Sequence, residues 1–173
     1  MKILFLDLDG VLNSERSFLA GQTRLREYTD KDDPYFLKIT TCTIDPIACD
    51  LVNRICRNMD VKIVVSSTHR KHFPDTSEKL SLLKNYFDKL GVNGEHVIDW
   101  TLNLNTIRGE EIREWLLRHP ETTQYVILDD SCDMLPEQLA TNFVRCDSAV
   151  GMTAQNYRDV MTMFGYRDSG LII

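Results

Sequence analysis

The sequence predicts an α/β fold: a Rossmann-like parallel sheet flanked by helices, with a small insertion after the first strand. Three observations lead there. Apolar segments suited to strands buried on both faces recur at Ile3–Leu6, which is a continuous run, and at Val61–Val65 and Tyr125–Leu128. Helix-length segments separate them, as right-handed βαβ crossovers require. These strands also end in unusual polar clusters, all of which parallel strands would bring to one edge of the sheet.

Taken in order, the first strand runs from Lys2 to Leu8. Asp45-Pro46 reads as N-cap plus first helical residue, and Ile47, Leu51, Ile55 and Met59 then recur every fourth position. Val61 to Val65 is the second strand. Ser77 caps a helix with Leu80, Leu83, Phe87 and Leu90 on one face, and Gly91 stops it. His96-Val97-Ile98 is a short strand. Gly109 to His119 is a helix carrying Ile112, Trp115 and Leu116, ended by Pro120. Tyr125 to Leu128 and Phe143-Val144 are further strands. Thr153 caps a last helix with Tyr157, Val160, Met161 and Phe164, closed by Gly165. Ser14 to Ile44 breaks the rhythm, because a βα loop usually takes about 2–6 residues. Its mixed charges fit a solvated excursion, and its position after the first strand fits a cap over a site.

At 173 residues the chain fits one domain, here 1–173, with 14–44 as the cap. Twenty Lys plus Arg against 26 Asp plus Glu give a net charge of −6, which excludes an extended grip on duplex nucleic acid but allows a local basic pocket. No apolar run approaches the ~20 residues of a membrane span, so no membrane partner is expected. Asp7 and Asp9 interrupt the apolar start too early for a secretory signal. The five cysteines include no C-x-x-C pair; Cys49 and Cys56 lie seven apart on one helix face and read as core fillers. A reducing, cytoplasmic location is the expectation.

The polar clusters carry the chemistry. The first strand ends Asp7-Leu8-Asp9-Gly10-Val11-Leu12-Asn13, the second Ser66-Ser67-Thr68-His69-Arg70, and the strand at 125–128 ends Asp129-Asp130-Ser131-Cys132-Asp133. Separately these are a turn signal, a helix cap and a solvated loop. In extended geometry Asp7 and Asp9 project to the same side, and two close carboxylates need a compensating charge. A hard divalent cation such as Mg²⁺ supplies it, and Asp129 and Asp130 add oxygen ligands. Such a pocket can hold Mg²⁺ and a phosphate together. One carboxylate can then attack phosphorus, while another acts as general acid and then base. His69 and His72 have no partners at zinc-site spacing and read as surface residues at a helix start; Cys132 reads as a loop residue and Met161 as core.

With these residues in place, the chain resembles the haloacid dehalogenase (HAD) superfamily. The first family motif, D-x-D-G-x after a strand, is matched by Asp7-Leu8-Asp9-Gly10-Val11. The second, a strand ending in Ser or Thr, is matched by Val64-Val65-Ser66. The fourth, a strand followed by paired acids, is matched by Ile127-Leu128-Asp129-Asp130. Arg108 fits the third, a Lys or Arg near the start of the preceding helix. A narrower similarity, to the HAD domains of RNA-repair proteins and phage-type small phosphatases, rests on Asp9-Gly10-Val11-Leu12-Asn13, Val64-Val65-Ser66-Ser67-Thr68-His69-Arg70, Arg108 before Glu111-Ile112-Arg113-Glu114-Trp115-Leu116, and Gly151-Met152-Thr153. His69 stands where that subgroup usually has Trp.

The resemblance implies a Rossmann-like fold, Mg²⁺ dependence and phosphoryl transfer. It implies Asp7 as nucleophile and Asp9 as general acid/base, with the Asp9 carbonyl on Mg²⁺. Ser66, or Ser67, would bind a phosphate oxygen. Arg108 would neutralise phosphate charge. Asp130 would ligate Mg²⁺, and Asp129 would ligate it or orient Arg108. Arg70 is either a phosphate contact or a surface helix residue. The expected activity is phosphomonoester hydrolysis on a nucleotide or a nucleic-acid 3′-phosphate end. A phosphotransferase using the same intermediate and a silent phosphate-binding module are the alternatives; a dehalogenase is disfavoured by the second aspartate. Arg16, Arg24 and Arg26, interleaved with Phe18, Tyr28, Tyr35 and Phe36, would hold a second phosphate or stack a base. The Phe36 ring could equally pack the cap onto the core.

Overall fold

Five strands form one parallel sheet in the computed structural model, which describes residues 1–167. They are β1 (Lys2–Leu6), β2 (Val61–Val65), β3 (Val97–Trp100), β4 (Gln124–Asp129) and β5 (Phe143–Arg145), in the spatial order β3-β2-β1-β4-β5. The chain builds outward from β1 to β3, then crosses back to place β4 on the other side of β1. The direction of winding therefore reverses between β1 and β4. In open α/β sheets that reversal leaves a crevice beyond the strands' carboxyl ends.

Helices α3 (Pro46–Met59), α4 (Lys79–Leu90) and α7 (Ala154–Met163) cover one face; α5 (Arg108–Arg118) and the short α6 (Pro136–Thr141) cover the other. Strand alternation explains the apolar runs. Leu4 and Leu6 enter the larger core with Ile55, Val65 and Phe87, while Ile3 and Phe5 enter the smaller one with Ile112 and Trp115. Trp115 is fully buried, edge-on to Phe5 at 5.4 Å, and its indole N–H donates to Asp99 at 2.6 Å. Truncating such a residue costs about 3–5 kcal/mol. Cys49 and Cys56 are buried in the larger core, and Cys132 is exposed.

Several boundaries differ from the sequence expectation. The β1 ladder ends at Leu6, so Asp7 and Asp9 lie beyond it and not in extended strand. Helix α4 begins at Lys79, two residues after Ser77, because the Lys79 N–H first closes a turn onto Thr76 O at 3.1 Å. The third strand starts after His96, which belongs to a short 3₁₀ turn. Asp45 and Thr153 cap α3 and α7 as expected.

Residues 14–44 fold into two helices, α1 (Glu15–Glu27) and α2 (Tyr35–Thr43). An antiparallel bridge between Asn13 and Ile44 pins both ends of the segment to one place. Gly21 lets α1 approach α2 closely, since a Cβ there would overlap the Cys42 carbonyl. Phe36 of α2 stacks on His72 at 4.6 Å and meets Phe73 edge-on, so this aromatic anchors the insertion to the domain. No helix among the described residues is long and apolar enough to cross a membrane.

Candidate active site

The first three polar clusters meet at the reversal point. The Asp7 N–H donates to Leu128 O, and the Ser66 N–H to Leu6 O, both at 3.1 Å. These bonds carry the strand alignment one residue past the ladders. Asp7, Ser66 and Asp129 therefore stand side by side, each 4% exposed or less. Arg108, the first residue of α5, reaches between Asp7 and Asp129 and pairs with both. The Leu8 N–H donates to the other Asp7 oxygen at 2.7 Å, which fixes the carboxylate's orientation.

Asp130 completes the acidic group. One oxygen from each of Asp7, Asp129 and Asp130 lies within 4.8 Å of the others. Gly10 allows this approach: its φ is +70°, and a Cβ would overlap the Asp130 carboxylate. Burial, with the Asp7 charge adding to it, raises the proton affinity of Asp129 and Asp130. Burial alone would weaken the Arg108 proton, but Asp7 and Asp129 outweigh it and hold the guanidinium firmly charged. Arg108 pairs with two of these three carboxylates, so the cluster remains short of positive charge. An all-oxygen set with that deficit fits Mg²⁺.

Asp9 stands outside this cluster, with its side chain 57% exposed. Its Oδ1 accepts from Asn13 at 2.8 Å and its Oδ2 lies 3.0 Å from His69 Nε2. The hydrogen bond from His69 is the largest reason that Asp9 holds its proton less tightly than an ordinary aspartate. His69 Nδ1 in turn lies 2.7 Å from the Tyr86 hydroxyl on α4. The tautomer that accepts from Tyr86 and donates to Asp9 satisfies both contacts. His69 is thus not the surface residue expected from sequence. The signal in the sequence is a ring three residues beyond the Ser66 of the second motif, where the subgroup has Trp.

The two serines divide their work. The Ser67 hydroxyl accepts from the His69 N–H at 3.3 Å and caps the 3₁₀ turn Thr68–His72. The Ser66 hydroxyl is fully buried and has no hydrogen-bond partner among the described residues. Arg70 is neither a free phosphate contact nor a surface residue. It is 3% exposed, pairs with the buried Glu111, and donates to the carbonyls of Ser66, Ser67, Thr101 and Leu102. Its donors are consumed in tying the β2 end to the loop after β3.

The insertion borders a cavity of about 580 Å³ with Asp9, Glu15, Phe18, Leu19, Asp130 and Ser148 in its lining. Phe18 is 46% exposed there. The expected arginines are placed elsewhere. Arg16 pairs with Asp45 at 3.2 Å and donates to Val150 O, while Arg24 and Arg26 are exposed outside this lining. Phe36 packs the insertion onto the domain, and Tyr28 bonds Asp33.

A parallel sheet with paired acids and a partnerless serine at its reversal point defines a domain of the HAD hydrolase and phosphotransferase class. The chain belongs to the family of HAD domains in Swiss Army Knife RNA repair proteins, which matches residues 3–157. No curated protein and no solved structure matches it. HAD domains generally use Mg²⁺, consistent with the Asp7, Asp129 and Asp130 group.

Proposed function

We propose that the protein is a Mg²⁺-dependent phosphatase that removes a phosphomonoester from a nucleotide or nucleic-acid end through an aspartyl phosphate on Asp7. The observation that carries this reading is the Asp7 carboxylate: buried, aimed by the Leu8 N–H, and set beside Arg108, Asp129 and Asp130. The RNA-repair family supports a nucleic-acid substrate.

In the first step an Asp7 oxygen bonds to phosphorus and the ester oxygen leaves with a proton from Asp9. In the second, Asp9 takes a proton from water, the water oxygen bonds to phosphorus, and the bond to Asp7 breaks. His69 lowers the proton affinity of Asp9 and so keeps it ionised, the form that can accept a proton in the second step, while making it a weaker base; the negative phosphate beside it opposes that effect in both steps. Ser66 donates to a phosphate oxygen, which gives its hydroxyl the partner it lacks. Ser67, occupied as a cap, is the weaker candidate for this task. Arg108 offsets phosphate charge. Asp7, Asp130 and the Asp9 carbonyl would hold Mg²⁺, with Asp129 either a further ligand or the group orienting Arg108, and the ion would neutralise phosphate oxygens. Residues 14–44 serve as a cap beside the site.

The test is hydrolysis of p-nitrophenyl phosphate by the wild type and by Asp7→Asn, with and without Mg²⁺ after metal stripping. Turnover that needs both Asp7 and Mg²⁺ supports the reading. Full activity in EDTA, or in folded Asp7→Asn, would overturn it.

A further inference from the structure

A phosphate-ended strand bound at Asp7 must place its remaining phosphates somewhere. The cavity beside α1 repels them: Asp9, Glu15 and Asp130 line it, with no Lys or Arg in the lining. Across the Ser66–Ser67 strand end lies a second cavity, of about 380 Å³, with the opposite character. Lys71, Lys79, Trp100, Thr101 and Asn103 are in its lining.

Two groups there are short of partners. The Lys79 side chain is only 9% exposed, yet its ammonium has one carboxylate partner, Asp75, at 3.6 Å, and Asp75 is itself 92% exposed. The Trp100 ring supports the ammonium from one side, 4.8 Å from its centroid. An ammonium has three donors, so this one has capacity to spare. Thr101 is in the lining of the same cavity, and its buried hydroxyl has no hydrogen-bond partner among the described residues. A phosphate accepts from both kinds of donor.

The cavity is also rigidly related to the candidate active site. Arg70 donates to Ser66 O and Ser67 O at 2.8 and 2.6 Å and to Thr101 O at 2.8 Å. One guanidinium thus fixes the second motif and the cavity wall together. Two strand spacings, about 10 Å, separate the β1 and β3 ends.

We propose that this β2–β3 cavity is a second anion subsite, holding a phosphate of the nucleic-acid strand that adjoins the scissile end. It rests on the phosphatase reading for the identity of that strand. Lys79 supplies the charge, Trp100 orients it, Thr101 donates a hydrogen bond, and exposed Lys71 adds charge at the mouth.

The experiment compares kcat/KM for p-nitrophenyl phosphate with that for a trinucleotide phosphorylated at either end, using wild type, Lys79→Met and Lys71→Gln. Met keeps an unbranched stem against Trp100 and removes the charge. In Lys79→Met the loss on the trinucleotide should exceed the loss on p-nitrophenyl phosphate by about tenfold, the effect of one charge-assisted contact. The slope of log kcat/KM against log salt should become shallower by about 0.7 for the trinucleotide. Lys71→Gln should shift selectivity the same way by less, and it decides the matter if Lys79→Met melts early. Equal losses on both substrates, or none on the trinucleotide, would overturn the subsite. If the wild type hydrolyses neither substrate, the phosphatase reading fails separately. The subsite is then judged by Trp100 fluorescence during titration with an unphosphorylated trinucleotide. Binding that weakens in Lys79→Met supports it; equal binding, or none to wild type, overturns it.

Discussion

On the β1–β4 side of the sheet edge, Asp7, Asp129 and Asp130 lie together and Arg108 pairs with two of them; on the β2–β3 side, Lys79 and Lys71 line a cavity in which the exposed Asp75 is the one acid among the described residues. Each side alone would make a poor phosphatase. The acidic side can attack phosphorus but repels an anion unless a cation joins it. The basic side attracts anions but carries no nucleophile in position. The two arginines sharpen the contrast. Arg108 and Arg70 are both largely buried and both paired with carboxylates. Arg108 spends its charge on residues assigned to the reaction, whereas Arg70 spends its donors on backbone carbonyls and Glu111.

Breaking the acidic side has the largest effect. Asp7→Asn removes the nucleophile, and kcat should fall on the order of 10⁴-fold or more, as losses of covalent nucleophiles do. Its thermal melt should hold or rise, because a like-charge neighbour of Asp129 and Asp130 is gone. Arg70→Ala should act on stability instead. It strands the buried Glu111 carboxylate and should cost about 3–5 kcal/mol in urea unfolding. A fully stable Arg70→Ala that has lost only phosphate affinity would reverse the contrast between the arginines.

Smaller effects separate the residues around the phosphate. Ser66→Ala should lower kcat/KM by about 10–100-fold, the worth of a hydrogen bond to a charged group, while melting no lower than wild type, because its hydroxyl has no partner to lose. Ser67→Ala should instead lose capping stability. His69→Gln should act through Asp9. It should move the acid limb of the pH–rate profile to higher pH, because Asp9 then holds its proton more tightly. An unmoved limb would make His69 a structural residue.

The sheet and the four motif positions were legible because their signals are local. Apolar runs mark strands buried on both faces, and the residues that follow each run mark the carboxyl edge. The insertion was not legible as helices. The buried residues of α1 are Ser17 and Gly21, small residues that permit close packing, while Phe18 and Leu19 face out. The usual apolar stripe is therefore missing. Arg70 and His69 were misjudged for another reason. Their partners Glu111, Thr101 and Tyr86 lie 17 to 41 residues away, and only the fold brings them together. The Lys79–Trp100 cavity had no sequence signal either, since it joins a helix start to the end of an edge strand.

The covalent step on Asp7 is the centre of the account, and trapping it tests the account most directly. Rapid acid quench of the enzyme turning over a phosphorus-32 phosphomonoester, followed by peptide mapping, would locate any enzyme-bound phosphate. The account predicts label on the peptide that contains Asp7, released by neutral hydroxylamine as an acyl phosphate should be, and absent from Asp7→Asn. Rapid turnover with no label at any quench time, or label on a residue other than Asp7, would contradict it.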